Sequence, residues 1–101
     1  MEKPVKIDLN EFTLSEDNVA CLIEATKITF TNRGNIPVYI GEIPLIPGAS
    51  EQVNYEHPHI ISHRFKIRFD TGATPVDASY RAQFALEDTP RLVVQTMTPK
   101  L

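Results

Sequence analysis

His57, His59 and His63 form the pattern H-P-H-x-x-x-H, which places three imidazoles within seven residues. Neutral imidazole ligates zinc, so a loop folded back on itself could bring the three to one ion. Pro58 breaks the helix that a metalloprotease pair at i, i+4 requires, and no cysteine stands beside them. Ordinary loop histidines are the plainer reading. A sharper one is pH sensing, since histidines that charge together near about pH 6 repel and loosen an interface. Arg64, Lys66 and Arg68 form a second constellation. On a strand they share one face at a spacing of about 7 Å, which suits phosphates or the acidic patch of a partner. Asp77 and Glu87, read as lying on a neighbouring strand, are expected to neutralise that face. Aromatic residues do not interleave with the bases as a single-strand platform needs, so nucleic acid is disfavoured as a partner.

Nucleophile chemistry finds no support. Ser15, Ser50, Ser62 and Ser79 lack a G-x-S-x-G elbow, and Cys21 sits in an apolar run where a thiol is ordinarily inert packing. The glycines at 34, 41, 48 and 72 are isolated and each is explained by a turn, so no phosphate-cradling loop occurs. The carboxylate pairs Glu16-Asp17 and Glu87-Asp88 fall at element ends, where such groups solvate loops or cap helices. The expectation is a protein that is not an enzyme, with no catalytic, cofactor-binding or metal residues and no cofactor.

Composition agrees with a binding or structural role. A chain of 101 residues buries roughly 65% of its unfolded surface, enough for one domain but with little room for a deep cleft. Ten Lys plus Arg against thirteen Asp plus Glu leave a net charge of −3, so no global field holds a polyanion. Hydrophobic residues at 42% and charged residues at 23% lie in the globular range. The single cysteine excludes an internal disulfide, for which a reducing compartment is the simplest setting. The segment from Met1 to Lys6 has no apolar core of a signal peptide, and no apolar run is long enough to span a membrane.

The elements that must carry these residues read as strands and turns. Prolines at 37, 44, 47, 58, 75, 90 and 99 leave no room for a long helix beyond residue 36. Val76, Ala78, Tyr80, Ala82, Phe84 and Leu86 alternate with polar residues and predict a half-buried strand, with Tyr80 facing inward. Phe65, Ile67 and Phe69 repeat that period, and residues 70–75 between the two runs read as a hairpin or corner. A strand over 27–31, a turn at Asn32-Arg33-Gly34-Asn35 and a strand over 37–40 predict a second hairpin. Pro47 and Gly48 make a turn into a strand over 51–55. Residues 92–97 form a strand that is either buried on both faces or paired with another chain. Residues 14–27 fit helix and strand alike, with strand favoured, and residues 1–14 read as an extended arm or edge strand. Seven or eight short strands imply a single all-β domain over 1–101, an antiparallel β-sandwich of immunoglobulin-like or jelly-roll type.

The stretch Ile28-Thr29-Phe30-Thr31-Asn32-Arg33-Gly34-Asn35-Ile36-Pro37-Val38-Tyr39-Ile40, followed by Leu45-Ile46-Pro47-Gly48-Ala49-Ser50, resembles small β-sandwich modules built from strand, N-x-G turn, strand and P-G-x-S turn. It looks most like the short β-sandwich virion proteins of tailed bacteriophages, such as auxiliary or decoration proteins of the capsid. The likeness covers about a quarter of the chain and rests on turn formers and core residues, so it carries over no functional residue. Its own Met1 and the lack of an export signal favour a virion protein over a repeat of an exported adhesin, which uses the same turns. The resemblance implies a structural protein made in the host cytoplasm, located in the virion, and partnered by the major capsid protein or other virion proteins, or by further copies of itself. Contacts are expected at 1–14, at the apolar strand from Leu92 to Val94, or at the tail 98–101. Two rivals stand beside it: a cytoplasmic module that binds a peptide or glycan, and an enzyme site completed by another subunit through the three histidines.

Overall fold

The computed structural model describes residues 7–54 and 60–99, apart from the side chain of Ile61. Eight strands and one short helix follow in the order β1 (Ile7–Leu14), β2 (Asn18–Ala25), β3 (Lys27–Asn32), β4 (Val38–Ile40), β5 (Ile43–Leu45), β6 (Ser50–Asn54), β7 (Ile61–Phe69), α1 (Ala78–Phe84) and β8 (Leu92–Pro99). They form two four-stranded antiparallel sheets, β1-β8-β3-β6 and β2-β7-β4-β5. The fold is an all-β sandwich.

Alternation builds the core between the sheets. Ile28 and Phe30 of β3 and Leu92 and Val94 of β8 face Ile23, Val38, Ile67 and Phe69 of the opposite sheet's strands, all buried. The ring of Phe30 meets that of Phe65 edge to face, with centroids 5.1 Å apart. Residues 18–25 are strand, and Cys21, Ile23 and Ala25 point inward as the period requires. Val19 belongs to the same period yet lies 73% exposed. A bulge between Asn18 and Cys21 inserts a residue against β7 and turns that side chain outward.

Three expectations are corrected. Residues 76–86 do not form a strand: Ala78–Phe84 is a helix. The Asp77 carboxylate accepts from the Tyr80 backbone N–H at 2.8 Å and caps the first turn. Alanine favours the helix, no β-branched residue intervenes after Val76, and the i, i+4 pair Tyr80 and Phe84 stacks with centroids 4.9 Å apart. Ala85 then takes the left-handed conformation that ends it. Tyr80 is half-buried and donates its hydroxyl to the Pro47 carbonyl at 2.7 Å, holding the helix over the turn at Gly48.

Nor is Asn32-Arg33-Gly34-Asn35 a hairpin turn, because β3 and β4 belong to different sheets. The segment crosses the sandwich, and the wholly buried Asn32 directs the crossing. Its side-chain amide donates to the carbonyls of Ile36 (2.9 Å) and Leu45 (2.8 Å), and its carbonyl oxygen accepts from the Gly34 N–H (3.0 Å). Gly34 presses on the backbone ahead of β8 so closely that an added Cβ would lie 2.8 Å from the Thr89 carbonyl oxygen. The third correction concerns β8. One face is buried, and both of its hydrogen-bonding edges are filled, by β1 and by β3. No edge of residues 92–97 remains for another chain.

Asn32→Ala strands two buried carbonyls and an N–H, at a cost of roughly 3 kcal/mol, which should lower the urea midpoint by about 1–2 M. A loss under about 1 kcal/mol would show that the crossing does not need the amide. Tyr80→Phe should cost about 1 kcal/mol in the same measurement, with the helix retained.

Candidate interaction surfaces

Each residue singled out for chemistry can now be placed. His57 and His59 lie outside the described residues. His63 is exposed on β7 with its ring edge to face against Phe65, centroids 4.6 Å apart. Among the described residues, no three His, Cys, Asp or Glu side chains gather as a metal site would require. Ser62 donates to the Glu24 carboxylate at 3.4 Å, and the Ser50 hydroxyl shares a hydrogen bond with Thr31 at 3.1 Å. Ser15 and Ser79 are exposed on a corner and on α1. Three of the four paired carboxylates have partners within the fold. Asp17 accepts from the Phe69 N–H at 2.8 Å, tying the corner between β1 and β2 to the end of β7. Asp88 meets Arg81 at 3.3 Å, and Glu87 approaches Arg91 at 3.9 Å. Asp77 and Glu87 therefore do not neutralise Arg64, Lys66 and Arg68, which line up on the outer face of β7.

What remains is surface, and the edges of the two sheets differ sharply. An unprotected edge strand is a template for another chain, and proteins normally blunt it with bulges, proline, lysine or short length. The edge β2 carries the bulge at Asn18 and Cys21. At the opposite edges, β5 has three residues including Pro44, and β6 has five. Strand β1 has none of these, and its charges are the two acids Asp8 and Glu11. It runs eight residues against β8 without a register shift, contains neither lysine nor proline, and bears no described strand on its other side. Ile7 is 48% exposed, Leu9 77% and Phe12 37%. Phe12 and Asn10 point to the inner side of the sheet yet stay exposed, so the second sheet does not cover them.

Beside that edge lies a shallow groove of about 390 Å³ on the outer face of the same sheet. The strand register assembles it. Leu9, Met97 and Lys27 form one row across β1, β8 and β3, and Glu11, Gln95 and Thr29 form the next. Gln95 donates to Glu11 at 3.1 Å, and Gln52 of β6 extends the second row by donating to Thr29 at 3.4 Å. The result is an amide, hydroxyl and carboxylate row flanked by two apolar side chains. Apolar periodicity gives no sign that Leu9 and Met97 face outward, and only the pairing of strands far apart in sequence makes these residues neighbours.

Compared with protein-family models, with curated proteins and with solved structures, the chain matches none.

Cys21 is buried, and desolvation pushes its thiol above the ordinary cysteine range. The neutral thiol should therefore persist at about pH 8, with alkylation at least about tenfold slower than in the urea-unfolded chain. Equal rates would place the sulfur at the surface. The sign for stability follows: the unfolded thiol ionises first, so this group's contribution is intact below about pH 8.5 and declines above it. Comparison with Cys21→Ala in urea melts at neutral and alkaline pH isolates that term.

Proposed function

We propose that this chain is a non-enzymatic assembly protein that joins a larger particle by strand addition at β1. Its long, unbulged free edge, with Ile7, Leu9 and Phe12 exposed along it, carries the reading. In strand addition the main-chain hydrogen bonds supply affinity and the flanking pockets select alternate side chains. Strand β1 offers the first, and the groove formed by Leu9, Met97, Lys27, Glu11, Gln95 and Thr29 offers the second. The resemblance of residues 28–40 and 45–50 to auxiliary and decoration proteins of tailed-phage capsids supports a virion as the particle, with the major capsid protein or another virion protein as the donor of the added strand. Such a role needs no catalytic residue, which agrees with the structural duties of Asp17, Asp77, Glu87 and Asp88.

The second reading, a module for a peptide or glycan, draws on the same groove. A free extended peptide would add to β1 as a capsid segment does, so the two readings differ in partner rather than in surface.

Particles from the source culture, banded on a density gradient, should contain the chain in stoichiometric copy number by mass spectrometry. Its absence from every particle fraction would leave the peptide or glycan module as the account. Leu9→Lys adds an edge charge at a site already exposed, so its folding stability should stay within about 0.5 kcal/mol of the parent. Incorporation of that variant should fall at least about tenfold, and unchanged incorporation would remove β1 from the contact.

A further inference from the structure

The cationic column of β7 lies on the sheet that does not contain β1, and the role of β1 leaves it unexplained. We propose that the outer face of β2-β7-β4-β5 docks an acidic, extended segment of a partner protein, recognised by Arg64, Lys66 and Arg68.

Strand β7 is flanked by β2 and β4, so the three cations stand inside the sheet face rather than at its rim. Arg64 lies opposite Leu22, and Arg68 opposite Tyr39. Gly41 continues the pairing by donating its N–H to the Lys66 carbonyl, and a Cβ added there would meet nothing within 4 Å. None of these neighbours is acidic. The acids nearest the column lie at its ends and rim: Asp70 continues the alternation just past β7, Glu42 follows Gly41 in the turn between β4 and β5, and Glu24 sits opposite Ser62 and takes that hydroxyl's hydrogen bond. None of the three cations makes an ion pair with a described residue; the two such pairs belong to Arg81 and Arg91. A chain of net charge −3 with thirteen acidic residues thus keeps three neighbouring cations on one face without an ion pair to a described residue.

Pitch and chemistry select the occupant. Alternate residues along an extended segment repeat about every 7 Å, the same interval that separates the cations, so carboxylates at every second residue fall into register with the column. Arginine's planar fork suits carboxylates bidentately, and Arg68 is held in place with its guanidinium carbon 4.4 Å from the Tyr39 ring centroid. That contact also argues against single-stranded nucleic acid. Tyr39, the ring this face could offer a base, already carries a guanidinium, and the chain's net negative charge opposes a polyanion.

The test is fluorescence anisotropy with three labelled probes of equal charge: a peptide with glutamate at every second residue, a peptide with its glutamates contiguous, and a short oligothymidylate. At about 20 mM salt the alternating peptide should bind most tightly, and binding should weaken at least about tenfold by about 300 mM as screening sets in. Lys66→Gln and Arg64→Gln, both at exposed positions, should each weaken it several-fold. Arg33→Gln removes the same charge elsewhere and should leave binding unchanged. Circular dichroism and urea midpoints confirm that the variants are folded. Leu9→Lys should bind the peptide as the parent does, so failure at β1 and failure at this face are separately visible. No binding at low salt, equal loss in Arg33→Gln, no preference for the alternating over the contiguous peptide, or tighter binding of the oligothymidylate would each overturn the proposal.

Discussion

The side chain of Asn32 fixes the crossing from one sheet to the other. A buried amide left unpaired is costly, and here each polar atom is engaged: the nitrogen with the carbonyls of Ile36 and Leu45, the oxygen with the Gly34 N–H. Its backbone adds two more bonds, donating to Ala49 and accepting from Gly48, which fasten the turn before β6. The next residues extend the knot. Arg33 pairs with Arg91 and Glu87, and Asn35 accepts from Val76, so the approaches to β8 and to α1 converge on the same crossing. Gly34 permits the convergence because the backbone of 89–91 occupies the space a side chain would need. With this corner fixed, β3 and β8 pair in one layer while β4 and β7 pair in the other.

The sheets were legible in the sequence wherever one face is wet and the other dry. Phe65, Ile67 and Phe69 announced β7, and Ile28 and Phe30 announced β3, because a two-residue period survives burial of one face. The same rule failed at 76–86. A solvent-facing helix with no buried residue imposes no apolar stripe of its own, so the alternation of Val76, Ala78, Tyr80, Ala82, Phe84 and Leu86 had a strand's period without a strand's reason. The better signal was local: Asp77 as a cap, alanines at 78, 82 and 85, and no β-branched residue after Val76. Asn32-Arg33-Gly34-Asn35 misled for a different cause. Its residues suit a tight hairpin, yet Asn32 is drawn inward by carbonyls that only the folded chain brings near. The edge position of 7–14 could be read from polar residues spread over both of its faces, whereas the groove beside it depends on register across three strands and had no trace in any single segment.

The proposed role draws on two surfaces. Strand β1 presents main-chain donors and acceptors along eight residues, with Leu9 and Met97 beside it as apolar contacts. The other sheet presents fixed positive charge. A sandwich with one free edge and one cationic face, if both bind as proposed, engages two neighbours at once or one neighbour through two segments, and the second contact raises the effective concentration for the first. That arrangement suits a subunit of a lattice. Of the paired carboxylates, Asp17 closes the corner at the end of β7, Asp88 binds Arg81 and Glu87 approaches Arg91.

The central claim is that β1 becomes an interior strand in the assembly. Hydrogen exchange of the β1 amides, compared between the isolated chain and the particle that carries it, tests this directly. In an antiparallel edge strand alternate N–H groups point away from the sheet and exchange freely. Those amides should become protected in the particle, by at least about tenfold, while β3 and β8 change little. Equal exchange of the β1 amides in both states, with protection appearing elsewhere, would contradict the account.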